Sequence, residues 1–217
     1  MSALLVANFM NLVDVTIVNV AIPSIQQAFG ANDSQIEWVI AIYMLTFALL
    51  LLPSGRMGDV FGKRQMFVAG VTVFTLGSAL CGMAGSINLL IFARMFQALG
   101  GAMMTPQILA MVPILFLPKE RGAVFALFGL TAGMASVAGP PLAGVLIHAD
   151  LWALGWRPIF LVNVPVGVIA ILAALRYGPK TTTNRGGAID GVGILLATTT
   201  LLLISSSSSW QGLSWLT

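Results

Sequence analysis

The chain has 217 residues, of which 58% are hydrophobic and only 8% charged, with a mean hydropathy of +0.98. Soluble domains carry about 25% charged residues, so a water-exposed globule is excluded and lipid must be the solvent for most of the chain. A formal charge of +3 is too small to point to nucleic acid, and the lone cysteine, Cys81, excludes an intrachain disulfide.

The first residues show neither the basic stretch nor the small-residue cleavage site of a signal peptide. The chain enters its first apolar segment almost at once, which suggests that an upstream piece is missing. A membrane helix needs about 20 mostly apolar residues. Such segments are predicted at 3–25, 36–54, 66–85, 89–116, 123–147 and 159–176, with a weaker seventh at 191–209. The expected architecture is an all-α integral membrane protein. Residues 1–176 form a six-helix bundle, 177–190 a polar, Gly-rich cytoplasmic linker, and 191–217 an additional transmembrane helix with an outer tail.

The first span holds a carboxylate, Asp14, in the stretch "NFMNLVDVTIVNVAIP". A charge at the bilayer centre costs roughly 2.5–3.5 kcal/mol even on insertion scales, and such residues usually mark ion or substrate paths. At helical spacing Asn8, Asn11 and Asn19 share one arc, with Asp14 about 60° past Asn11. That arc must face other helices or a wet cavity. The alternative is a structural carboxylate hydrogen-bonded inside a bundle. Just beyond this span, "NDS" at 32–34 fits a glycosylation acceptor, a short pattern that often arises by chance.

Spans two and three are joined by "GRMGDVFGKR", which reads as a tight turn with one acid among three bases. Gly55, Gly58 and Gly62 allow close backbone approach, and Asp59 can accept bonds at a helix N-terminus or pair with a nearby base among Arg56, Lys63 and Arg64. Span four contains "FARMFQALGGAMMTP", where Arg94 and Gln97 lie one turn apart with small residues beside them. Arg94 either has a buried role or snorkels to the outer interface. Span five carries a mainly small-residue stripe, Gly129, Gly133, Ser136 or Val137, Pro140 and Gly144. Its tandem prolines Pro140 and Pro141 are expected to kink or break the helix. His148 has no second ligand nearby and reads as an interfacial histidine, and no metal cluster, catalytic triad or cofactor loop is visible.

Arg56, Lys63, Arg64, Lys119, Arg121, Arg176, Lys180 and Arg185 fall in alternate connections, whereas the opposite loops hold Arg157 alone. The positive-inside rule then places the amino terminus in the cytoplasm. Trp38, Trp152, Trp156, Trp210 and Trp215 fall at the outer ends of segments, as an aromatic belt would.

Together these motifs resemble the major facilitator superfamily, and within it the fourteen-helix drug:proton antiporters of the EmrB/QacA type. "VDVTIVNVAIP" is similar to that family's first-helix motif, "GRMGDVFGKR" to the loop between helices two and three, and "ARMFQALGGA" to the helix-four motif. "GPPLAG", with Gly139, Pro140 and Gly144 after Gly133, resembles the antiporter motif of helix five, and "WRPIFLVNVPVG" the start of helix six. Departures are Val60 in place of a base, Ala143 for a glycine and Pro158 for an aromatic. The resemblance implies export of amphipathic, often cationic compounds from a bacterial inner membrane, with the proton gradient as driving force and no cofactor. It implies that Asp14 alternately holds a proton or helps bind a cation, that Arg94 tunes it or passes the proton, and that the Asp59 loop locks a conformation against a second half, which is expected to be missing. A metabolite transporter of the same superfamily, or a non-transporting membrane remnant, is the alternative. A seven-helix retinal protein is not, because the charge bias is reversed and 191–209 contains no lysine.

Overall fold

The computed structural model describes residues 1–149 and 154–178. Every regular element among them is helical: α1 (Ser2–Phe29), α2 (Asp33–Phe61), α3 (Lys63–Gly82), α4 (Ile87–Leu115), α5 (Pro118–His148), α6 (Pro158–Leu161) and α7 (Asn163–Tyr177). Short α6 and α7 make one span, so six helices among the described residues are long and apolar enough to cross a membrane. The predicted seventh segment, nearly all of the linker and Trp152, Trp210 and Trp215 lie outside the described residues.

Local chemistry sets the helix ends. The Gln35 amide donates to Asn32 Oδ1 at 2.9 Å, and Gln35 Oε1 accepts from the Asn32 amide at 3.1 Å, a reciprocal cap that starts α2. The asparagine of the "NDS" triplet therefore spends its side chain on helix capping. Ser86 caps α4 through the Leu89 amide at 3.3 Å. α5 opens with Pro118 in its first turn and with Glu120 Oε2 accepting from the Leu117 amide at 3.1 Å.

Three expectations change. Residues 55–61 are not a loop: α2 runs through Pro53 to Phe61, and Gly62 alone turns the chain into α3. Gly62 adopts φ 99°, a backbone conformation that a side chain disfavours. Of the kink or break expected at Pro140 and Pro141, the break does not occur, since α5 is continuous through both. Their missing N–H groups free only the carbonyls one turn earlier, a loss that membrane helices tolerate. Trp156 is no belt residue, being only 2% exposed, edge-on to Phe29 and Phe160 and under the Arg157 guanidinium. Trp38, at 51% exposure, does face outward.

Helix α4 packs between α2 and α3, while α1 lies against α5 and α7. The α3–α4 approach depends on glycine. A Cβ on Gly77 would stand 2.6 Å from Gln97 Cα, and one on Gly100 would stand 2.6 Å from Phe74 Cα. Two apolar clusters fill the bundle. One gathers Val13, Ile17 and Ile25 of α1 with Val39, Leu90, Ala93, Trp156 and Phe160. The other gathers Leu4, Ala7 and Met10 with Phe67, Phe74, Ala98, Met104 and Ala170. Helices α1 to α5 contribute to both clusters, and the buried polar side chains meet where the two clusters adjoin.

Candidate functional site

Asp14 stands where α1 changes clusters, between Met10 and Ile17 on its buried stripe, and its exposure is 0%. Facing it on α4 are Arg94 and Gln97, three residues apart and so on one helix face. Arg94 Nη1 donates to Asp14 Oδ2 at 2.6 Å, a buried ion pair. Gln97 Nε2 donates to Asp14 Oδ1 at 2.8 Å, and Asn163 Nδ2, from the first residue of α7, donates to the same oxygen at 3.0 Å. Three donors on one carboxylate offset much of the cost of burying it.

The close α3–α4 approach brings a further layer. Ser78 Oγ accepts from Gln97 Nε2 at 2.7 Å and from Asn163 Nδ2 at 3.4 Å. The Cys81 thiol donates weakly to Gln97 Oε1, 3.7 Å away. Arg94 has partners besides the acid. Nη1 also donates to Gln97 Oε1 at 2.7 Å, Nε donates to the Val39 carbonyl at 3.4 Å, and Cζ lies 4.1 Å from the Tyr43 ring centre and 5.7 Å from that of Phe160. Arg94 does not snorkel to an interface; it is 2% exposed.

Asn11 does not touch the carboxylate. Its Oδ1 accepts from the Tyr43 hydroxyl at 2.6 Å and its Nδ2 donates to Thr105 Oγ1 at 3.4 Å. Asn8 reaches Thr131 on α5 at 3.4 Å. Asn19 stands apart, exposed, donating only to the Val15 carbonyl in its own helix. Of the arc expected from spacing, then, Asn11 lies one residue removed from the Asp14 pair, while Asn19 stays on the side of Asn8 but is exposed and reaches no other helix.

At the far end of α2, Asp59 pairs with Lys63 across Gly62 at 3.1 Å while its side chain stays 65% exposed. Arg64 turns the other way and donates to the last carbonyls of α7, Ala174 at 3.1 Å and Leu175. Gly58 is buried beneath the Gln107 side chain and Gly55 faces Pro106. Of the helix-five residues, Gly139 packs on Thr16 of α1, whereas Gly133 and Gly144 have open space before them and Pro140 is exposed. His148 bonds the Gly144 carbonyl at 2.8 Å. No group of metal-ligating side chains forms among the described residues.

Sequence reasoning did not single out Tyr43, Ser78 or Asn163. Asn163 did carry a signal, an amide inside an otherwise apolar span, which is the same anomaly that marks Asp14. Ser78 and Tyr43 carried none.

Comparison with known proteins agrees with this architecture. The profile of the Major Facilitator Superfamily matches residues 4–217. A probable actinorhodin transporter of Streptomyces coelicolor is 40% identical over 198 residues, covering 91% of this chain and 34% of the relative. The multidrug resistance protein Stp of Mycobacterium tuberculosis is 37% identical over 189 residues, covering 87% and 34%. Among solved structures, an inward-facing, occupied bacterial homologue of the human lysosomal transporter Spinster superposes with a TM-score of 0.70. It is 21% identical, covers 84% of this chain and 44% of the other, and bears on the fold alone. The chain thus spans about a third of the length of these two curated relatives.

Proposed function

Because the chain belongs to the major facilitator superfamily, we propose that it carries the amino-terminal bundle of a proton-coupled exporter of small organic compounds, with Asp14 as the coupling carboxylate. The observation that carries this reading is the Asp14–Arg94 ion pair, closed off from solvent at the junction of the two apolar clusters. A purely structural role is served as well or better by apolar residues of similar volume, since a buried pair is weak evidence for stability. An ionisable pair kept at such cost in a membrane bundle fits a switch.

In this reading a proton arriving at Asp14 removes the countercharge of Arg94. The guanidinium keeps Gln97 Oε1, the Val39 carbonyl and the aromatic faces, so α4 loses its charged tie to α1 while remaining seated on α2. Loosening one helix contact and retaining another is what a rocking transporter needs at its coupling site. Names borne by the relatives, an actinorhodin transporter and a multidrug resistance protein, support export of organic solutes. Asn11 and the exposed Asn19 serve as solute contacts. The exposed Asp59 carboxylate acts on conformation against a second helical bundle, which also supplies the other wall of the solute path. The amino terminus lies in the cytoplasm of a bacterial inner membrane, consistent with the bases at that end of the bundle.

The test uses a two-bundle transporter containing this chain, reconstituted in liposomes under an imposed proton gradient. Asp14→Asn is expected to abolish uphill export of an ethidium-like dye while leaving insertion intact, and unchanged export would overturn the assignment. The 217-residue chain alone is expected to move no dye.

A further inference from the structure

We propose that Tyr43 is a positioning residue that transmits the protonation state of Asp14, through Arg94, to the Asn11–Thr105 pair at the partly exposed seam of α1 and α4. The proposal rests on the proton-coupled reading for its purpose, but its geometry stands independently. Tyr43 is 1% exposed and touches both polar groups at once. Its ring lies 4.1 Å from Arg94 Cζ, and its hydroxyl donates to Asn11 Oδ1 at 2.6 Å. Asn11 in turn donates to Thr105, which is half-buried and anchored to the Gly101 carbonyl at 2.8 Å. Phe47, nearly parallel at 10° with ring centres 6.2 Å apart, stacks beside the ring and fixes its plane. Among the described residues no hydrogen bond links Asp14 or Arg94 to Asn11 directly.

The physical step is a redistribution of attraction around one cation. With Asp14 ionised, the guanidinium is divided among the carboxylate, Gln97 Oε1, the Val39 carbonyl and the Tyr43 face. When Asp14 takes a proton, the only negative charge facing it among the described residues disappears, and the electron-rich Tyr43 face becomes a larger share of what holds it. A cation pressed on the ring withdraws electron density and makes the phenolic hydroxyl a stronger donor, so the bond to Asn11 tightens. The Asn11 carboxamide, and with it Thr105, then presents a different hydrogen-bonding surface at the seam. Among the described residues the titratable groups around this cluster are Asp14 on α1, Tyr43 itself on α2, Cys81 on α3 and Arg94 on α4; α6 and α7 contribute the neutral Phe160 and Asn163.

The chain contains two tyrosines, so Tyr177→Phe leaves Tyr43 as the only one. In lipid nanodiscs, infrared difference spectra of that variant, acid minus neutral, should show a tyrosine ring-mode shift with the same midpoint as the carboxyl band of Asp14, isolated from the other six acidic residues as the component missing from the Asp14→Asn spectrum. Asp14→Asn should remove both, and Asn11→Ala should reduce the tyrosine shift by cutting its acceptor while the carboxyl band remains. A carboxyl band that titrates beside a silent tyrosine, or a tyrosine shift that persists in Asp14→Asn, overturns the proposal and leaves proton coupling at Asp14 standing. Absence of any Asp14-dependent carboxyl band overturns the coupling reading and this inference together. Should Asp14→Asn fail to insert, Asp14→Glu isolates the band by its shift instead, and a tyrosine midpoint separate from it overturns the proposal.

Discussion

Replacing Arg94 by Met keeps an unbranched stem and removes the charge beside Asp14. The carboxylate retains the Gln97 and Asn163 amides at 2.8 and 3.0 Å but loses its charged partner at 2.6 Å. Breaking a buried pair from one side costs roughly 3–5 kcal/mol, which is about two to three and a half orders of magnitude in an opening equilibrium. Cys81 provides the readout, because it is the sole thiol, has 0% exposure and sits against Gln97 at the edge of the same cluster. Labelling by a fluorogenic maleimide, in detergent at a temperature where the parent chain reacts slowly, reports opening of this region. Arg94→Met is expected to accelerate labelling by roughly a hundredfold or more. The pair Asp14→Leu with Arg94→Met removes both charges and should recover most of that loss, since Gln97 Nε2 keeps Ser78 Oγ at 2.7 Å. Labelling within about tenfold of the parent for the single variant, or no recovery in the double, would refute the account of the pair.

Other expectations use the same assay. Gly77→Ala places a methyl group 2.6 Å from Gln97 Cα and should destabilise by about 1–3 kcal/mol, whereas Gly133→Ala, which meets nothing within 4 Å, should label like the parent chain. Gly62→Ala puts a side chain at φ 99° and should cost about 1–3 kcal/mol, seen as faster labelling or a lower midpoint on heating. Asn163→Ala removes one of three donors to Asp14 and should cost about 1–3 kcal/mol, less than Arg94→Met; an equal or larger loss would shift the weight of the site from α4 to α7.

The spans were legible because an apolar run long enough to cross lipid has few other uses, and Asp14 and Arg94 stood out because charge inside such a run needs a reason. Which residues complete their shell was not legible. Ser78 is one hydroxyl in a helix of small residues, and it matters only because Gly77 and Gly100 let α3 approach α4 beside Gln97. Tyr43 looks like any aromatic on a lipid-facing helix until its neighbours are known. Hydropathy also misplaces the end of α2, since polarity rises after Pro53 but backbone hydrogen bonding continues to Phe61. Trp156 was misread for a related reason: its position near a span end suits a belt, yet Phe29 and Phe160 cover it.

Meeting of polar groups from α1, α3, α4 and α7 at one depth has a consequence for biosynthesis. Asp14 is made 80 residues before Arg94 and 149 before Asn163. At about 5–20 residues per second, the ribosome needs roughly 4–16 s to deliver the arginine after the aspartate. For that interval α1 holds a carboxylate in lipid or in the insertion machinery with none of its three donors yet available, a burden of roughly 2.5–3.5 kcal/mol on a single helix. Secure seating of the first helix therefore waits on the fourth, and a codon change that slows translation between them lengthens the wait without altering one atom of the finished protein.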